Sequence, residues 1–161
     1  MSHRAWIGLG SNLDHPQQQV STALEDLSRL PLTRLWAHSS PYSSRPVGPQ
    51  DQPDFINAVA VLETRLSSLA LLDQLQALEQ RHRRVRKRHW GPRTLDLDIL
   101  LYDDQQLDLA RLSVPHPWLC ERAFVVQPML EIEPELRLPG GLPLKQLPAA
   151  LPSNDLKRLS F

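Results

Sequence analysis

Asp96 and Asp98 stand one residue apart in TLDLDILLYD, residues 94–103, where apolar and polar residues alternate as they do in a strand. Residues two apart in a strand point to the same face, with about 6.5 to 7 Å between their α-carbons. The two carboxylates therefore aim at one small volume, while Leu95, Leu97 and Ile99 turn the other way, into a core. Neighbouring anions raise each other's pKa unless a cation relieves them. A pair of hard oxygen ligands suits Mg²⁺, whose octahedron phosphate oxygens and water can complete. Two such ions, bridged by the pair, make the clamp used in phosphoryl chemistry. The competing reading is the wet face of a half-solvated strand.

What precedes the pair bears on that choice. Residues 81–93, RHRRVRKRHWGPR, hold seven arginines or lysines in thirteen positions. The arginine fork binds phosphate oxygens in pairs and keeps its charge. A basic loop beside a di-acid strand matches a metal-bound polyphosphate, with cations neutralising charge that moves during transfer. Taken alone the run also fits a solvated charged segment or a nucleic-acid patch. The net charge of zero, from 18 basic and 18 acidic residues, and the lack of interleaved aromatics beyond Trp90 argue against nucleic acid. A non-catalytic module that binds RNA or an acidic partner through this loop is the rival function, and an ordinary kinase acting on a small molecule is a third.

Other phosphate motifs fail. GLGSNL, starting at Gly8, has two glycines of a dinucleotide loop but Leu13 in place of the third, and no G-x-x-x-x-G-K-[ST] occurs. The 6 histidines lack zinc spacing, and the single cysteine, Cys120, precludes an internal disulfide framework and fits a reducing compartment.

The elements that must position these residues can be read from periodicity. A length of 161 residues suits one domain, 1–161, with its own core. Residues 4–9 read as a buried strand ended by Gly10-Ser11-Asn12, and Asp14 with Pro16 as a helix start. Val20, Ala23, Leu24, Leu27 and Leu30 then recur at helical spacing as far as Pro31. Residues 33–55 begin as a strand and become a long loop of a kind that often carries function. Residues 55–64 return to strand composition, 68–83 form a second amphipathic helix, and 94–103 a further strand.

This β-α-β-β-α-β order is that of an α+β, ferredoxin-like core, an antiparallel sheet with both helices packed on one face. The chain from about residue 104 elaborates it, with a short helix in CERAFVVQPML and strand-like pieces near Leu136 and Leu142. The N-terminus lacks a signal-peptide core and no segment approaches the ~18 apolar residues of a membrane span. The expectation is a cytoplasmic monomer acting on small molecules, without membrane or nucleic-acid partners.

WGPRTLDLDILLY resembles the signature of the 6-hydroxymethyl-7,8-dihydropterin pyrophosphokinases of folate biosynthesis. IGLGSNL, SSPYSSRPVGPQDQPDFINAV, RVRKRHWGPRTLDLDILLY and VPHPWLCERAFVVQPMLEI are similar to that family in the same order, over most of residues 6–132. The resemblance implies transfer of the terminal pyrophosphoryl group of ATP to the pterin hydroxymethyl, giving AMP, with two Mg²⁺ ions on a ferredoxin-like core.

Position by position, the resemblance makes Asp96 and Asp98 the metal ligands and Arg84 and Arg93 the catalytic phosphate-contacting arginines. It assigns Asn57, Phe55 and Phe124 to the pterin, with Ser44, Pro46 and Val47 lining the pocket and Trp90 closing over it. Gln76, Glu79, Arg86, Ile99, Arg111, Ser113, His116 and Arg122 fall at nucleotide-side positions. Read from the residues alone, Phe55 and Phe124 fit core packing equally well, and His116 between two prolines fits a structural turn. Two positions depart from the family pattern: Arg83 stands where glycine is frequent, and Ser44 where threonine is.

Overall fold

A computed structural model describes residues 2–13, 15–45, 53–83, 94–152 and 155–161. In chain order its elements are β1 (His3–Ser11), α1 (Pro16–Ser28), β2 (Thr33–His38), β3 (Tyr42–Ser44), β4 (Phe55–Thr64), α2 (Ser68–Arg83), β5 (Asp96–Tyr102), β6 (Leu107–Asp108), β7 (Ser113–Val114), α3 (Ala123–Ile132) and β8 (Leu156–Arg158). Three short 3₁₀ turns lie at Leu119–Glu121, Leu144–Gln146 and Pro148–Ala150.

β4 is the spine of the sheet. One edge pairs with β1 along its whole length, from His3 opposite Thr64 to Ser11 opposite Ile56. β2 and β3 share the other edge end to end, and β8 pairs with β3. β5 closes the far side against β1, and every pairing in this sheet is antiparallel. The order β5-β1-β4 followed by β2/β3 is the ferredoxin-like one expected from the split β-α-β reading.

Alternation along the strands gives the sheet two apolar faces. Ala5, Ile7, Leu9, Ala58, Ala60, Leu62, Leu97 and Ile99 meet Val20, Leu24 and Leu27 of α1 and Leu71, Leu75 and Leu78 of α2. The helices thus cover one face, as anticipated, because each buries a leucine stripe that has no other partner. On the second face Trp6, Val59, Val61, Leu100 and Leu101 pack against Val125, Val126 and Met129 of α3 and against Leu136 and Leu144 beyond it. The C-terminal elaboration is therefore a partial third layer, which strand and helix order alone did not place.

Four local readings change. β1 continues through Ser11, so Gly10 lies inside the strand with Gly8 and not at its terminating turn. α1 starts after His15, which sits at φ 60° without a side-chain cap bond, and Asp14 lies outside the described residues. Tyr42–Ser44, read as loop, is a strand because the β4 edge left open beyond β2 supplies its hydrogen bonds. The strand-like pieces near Leu136 and Leu142 reduce to one bridge between Arg137 and Pro143. Among the described residues no helix is long and apolar enough to cross a membrane.

Candidate active site

The part of the second sheet face that α3 leaves uncovered is the floor of a cleft of about 680 Å³. Gly10 of β1 lies between Asn57 of β4 and Asp96 of β5, and Gly8 pairs with Asp98. Absence of side chains at Gly8 and Gly10 leaves open the space between the amide and the carboxylates. A Cβ on Gly10 would come within 3.3 Å of Asn57 Oδ1, and one on Gly8 within 3.3 Å of Leu100 Cδ2. Interior strand glycines commonly mark such a close approach. Ser44 and Phe55 form one wall, and His116, Arg122 and Phe124 the other.

Asp96 and Asp98 project to the cleft side while Leu95, Leu97 and Ile99 are buried on the helix side at 0%, 4% and 2% exposure. The alternation read from the sequence thus holds. Their strand is fixed from its outer edge: Glu79 of α2 accepts the Leu97 backbone N–H at 3.0 Å, between the two aspartates.

A hydrogen bond ties the aromatic side of the cleft. The Asn57 side-chain amide donates to Ser44 Oγ at 2.7 Å, both groups being buried. Phe124 starts α3, and the Arg122 guanidinium lies 5.6 Å from its ring centroid. Apolar walls with a few oriented polar groups are the usual make-up of a small-molecule site.

His116 is held by its backbone N–H donating to Leu100 O at 3.0 Å. Its Nδ1 accepts the Trp118 backbone N–H at 3.2 Å, so in the neutral ring the proton sits on Nε2. Burial, foremost, lowers the His116 pKa; the charge of Asp98 opposes this and that of Arg122 adds to it. The neutral ring is therefore a donor to whatever occupies the cleft.

Six positions from the sequence reading, Pro46, Val47, Arg84, Arg86, Trp90 and Arg93, lie outside the described residues. Of the others, Ser44, Phe55, Asn57, Asp96, Asp98, His116, Arg122 and Phe124 come together around the cleft. Gln76, Glu79, Ile99, Arg111 and Ser113 do not line it. They gather around β5 and the β6–β7 hairpin, where Arg111 bonds to Asp73 at 2.6 Å and Gln76 at 3.1 Å. The Ile99 side chain is in the core, so any contact it makes there is through its backbone. Residue reading overlooked Gly8, Gly10, Arg45, Trp118 and Glu121, which also line the cleft. The glycines carried a signal, two glycines on one face of a strand, that was hidden because Gly10 reads as the start of a turn.

Among the described residues no group of three or more histidine, cysteine or acidic side chains is placed to hold a metal. Two carboxylates on one strand face fit instead a hard cation that takes its remaining ligands from water and phosphate.

A family profile described as 7,8-dihydro-6-hydroxymethylpterin-pyrophosphokinase matches residues 6–134. A Pseudomonas aeruginosa protein named 2-amino-4-hydroxy-6-hydroxymethyldihydropteridine pyrophosphokinase is 53% identical over 159 residues, covering 99% of this chain and 98% of the relative. A Haemophilus influenzae protein of the same name is 50% identical over 143 residues, 89% of either chain. Among solved structures, an HPPK-DHPS complex with substrates superposes with a TM-score of 0.76 at 11% identity, over 98% of this chain and 46% of that one. A Plasmodium falciparum HPPK-DHPS variant with pteroate gives 0.70 at 14% identity, over 90% of this chain and 42% of the other. The chain thus spans under half of those longer proteins, and at such identity they speak for the fold alone. The two bacterial relatives are matched over nearly their full length, and with the profile they settle the assignment: this chain belongs to the 7,8-dihydro-6-hydroxymethylpterin-pyrophosphokinase family.

Proposed function

We propose that this protein transfers the pyrophosphoryl group of ATP to the hydroxymethyl of 6-hydroxymethyl-7,8-dihydropterin, yielding AMP and the pterin diphosphate for folate synthesis. The observation that carries the reading is the sharing of one cleft by a carboxylate pair, Asp96 and Asp98, and an aromatic slot containing a tethered amide, Asn57. A flat heterocycle rich in donors and acceptors needs such a slot, and a triphosphate needs the acidic side only if metal ions accompany it.

Asp96 and Asp98 would hold Mg²⁺ there. When bound, the metal supplies charge neutralisation on the phosphates and polarises the phosphorus that is attacked. Phe55 and Phe124 hold the pterin ring, and Asn57, its NH₂ occupied by Ser44, turns its carbonyl oxygen to the ring's donors. The pterin hydroxyl oxygen bonds to the β-phosphorus in line as the bond to the α-phosphate bridging oxygen breaks, and AMP leaves with that oxygen. The hydroxyl proton passes to water. His116 is not the base, because Nδ1 already accepts a backbone N–H. Its Nε2–H and the Arg122 guanidinium instead donate to phosphate oxygens and spread charge in the transition state. Arg84 and Arg93 are the further phosphate cations.

Residues 1–161 act as one domain, and as a monomer. The single cysteine and the use of ATP support a cytoplasmic setting. Incubation with ATP, Mg²⁺ and hydroxymethyldihydropterin should release AMP; release of ADP would show phosphoryl transfer instead and sink the reading.

A further inference from the structure

Glu131 lies on α3 two turns after Phe124, points away from the cleft, and takes no part in the reaction described above. Its side chain is only 18% exposed. The carboxylate accepts the Ser40 backbone N–H at 3.1 Å and 2.9 Å, the Ser40 hydroxyl at 2.9 Å and the Tyr42 phenol at 2.7 Å. Arg158 of β8 donates to it at 3.3 Å and also donates to Ser40 Oγ at 3.2 Å. One anion therefore joins α3, the β2–β3 junction, β3 and β8. Burying a carboxylate costs several kcal/mol, and charge-assisted bonds recover this only where the geometry is good. Such an arrangement stabilises weakly but locates strongly.

What it locates is the slot. β3 runs from Tyr42 beside Glu131 to Ser44 at the cleft, and α3, followed backwards, runs from Glu131 to Phe124 at the same cleft. Ser44 in turn holds Asn57. Fixing β3 against α3 at the distal end sets the spacing between Phe124 and the Ser44–Asn57–Phe55 wall at the other. A binding constellation must be held to about 0.5 Å to work.

We propose that Glu131 is a positioning residue that sets the width of the pterin slot and so governs pterin affinity without affecting ATP affinity, an inference that rests on assigning Ser44, Phe55, Asn57 and Phe124 to the pterin. Burial first, then the bond to Glu131 and its charge, raise the Tyr42 pKa far above the usual phenol range, so the clamp keeps its proton at neutral pH. Glutamine cannot replace the acid, because its NH₂ would face donors where an acceptor is needed.

The test uses the full chain and equilibrium binding of hydroxymethyldihydropterin alone and of Mg²⁺ with α,β-methylene-ATP alone. Glu131→Gln should raise the pterin Kd about tenfold and Tyr42→Phe about threefold, the loss of one buried bond or less. The nucleotide Kd should stay within about twofold in both, a separation that general loosening of the fold would not give. If Glu131→Gln does not fold, as judged by thermal melting, Tyr42→Phe alone decides. Unchanged pterin binding in the folded variants, or an equal rise for nucleotide, overturns the proposal. Asn57→Ala and Phe124→Ala distinguish the causes: if these weaken pterin binding while the clamp variants do not, only the positioning role fails. If they too bind pterin normally, the slot assignment fails and the positioning role with it.

Discussion

Gly10→Ala adds one methyl group to the floor of the cleft and removes none of the side chains assigned to substrate or metal. Gly10 does not use the left-handed region, so alanine fits the backbone. Exchanging glycine for alanine at such a place removes freedom from the unfolded chain, a gain of about 0.4 to 1 kcal/mol. Against this, the new Cβ would lie 3.3 Å from Asn57 Oδ1. Asn57 cannot turn aside cheaply, because its amide is anchored to Ser44 at 2.7 Å inside the protein. The two effects on stability nearly cancel, and the melting temperature should move by less than about 4 °C. Binding has no such compensation. With the pterin placed as proposed, its edge against Asn57, the methyl group costs about 1 to 3 kcal/mol of overpacking and displaces a hydrogen bond worth about 1 kcal/mol. We expect a loss of about 2 to 4 kcal/mol, or roughly 30- to 900-fold in pterin Kd. Titration of the folded variant with hydroxymethyldihydropterin measures this directly. A Kd within about threefold of the parent would mean that the pterin does not sit over Gly10, and that the floor between Asn57 and Asp96 is not its site.

Asp98→Asn leaves the fold intact, since the side chain is exposed, but removes one of the two proposed metal ligands; turnover at saturating Mg²⁺ should fall by about 10² or more, and a rate near the parent's would remove Asp98 from the proposed metal site. Leu75→Ala empties a fully buried position between α2 and the sheet and should cost about 2 to 5 kcal/mol in urea denaturation; a change below about 1 kcal/mol would mean that α2 is not packed as described. Both tyrosines of the chain have raised pKa values, Tyr42 through burial and then Glu131, Tyr102 through burial and then Asp103. Because the folded values exceed the unfolded 10.0, their contribution to stability is complete below pH 10 and is lost as the pH rises through the folded values. Tyrosinate absorbance of the folded protein should therefore titrate above pH 10, and a midpoint at 10 would contradict the buried placement.

The ferredoxin-like core was legible because its elements obey their own periods. Leu71, Leu75 and Leu78 can bury themselves only against a sheet face, and the alternation of Leu95, Leu97 and Ile99 names that face. β3 was not legible, for a strand of three residues carries too little pattern and owes its bonds to the free end of β4. The same holds for β8, which pairs with β3 from the far end of the chain. That Asp96 and Asp98 share one face could be read because charge and spacing are local. The slot could not be read from residues alone, since Ser44, Asn57 and Phe124 meet only through the fold. Their assignment came from resemblance, and the cleft shows that these three are neighbours. Neither route pointed to Gly8 and Gly10, whose contribution is a missing side chain.

The boundary between the cleft and the apolar layer beneath α3 is drawn by one irregularity. In β5, strict alternation would place Asp96, Asp98, Leu100 and Tyr102 on the same face. Pairing with β1 slips instead: Trp6 lies opposite Leu101 and Ile7 opposite Ile99, leaving Leu100 as an inserted residue. After this bulge both Leu100 and Leu101 face α3, and Tyr102 turns to the helix side, where its hydroxyl donates to Leu66 O. The sheet face therefore passes from carboxylate-bearing to apolar within one step of Asp98. α3 can anchor on Leu100 and Leu101 close enough for Phe124 and Arg122, at its start, to share a cleft with the carboxylates. The run Ile99-Leu100-Leu101-Tyr102, four apolar or aromatic residues where alternation breaks down, is the trace this leaves in the sequence. It looks like mere hydrophobicity until the register of β1 shows what it does.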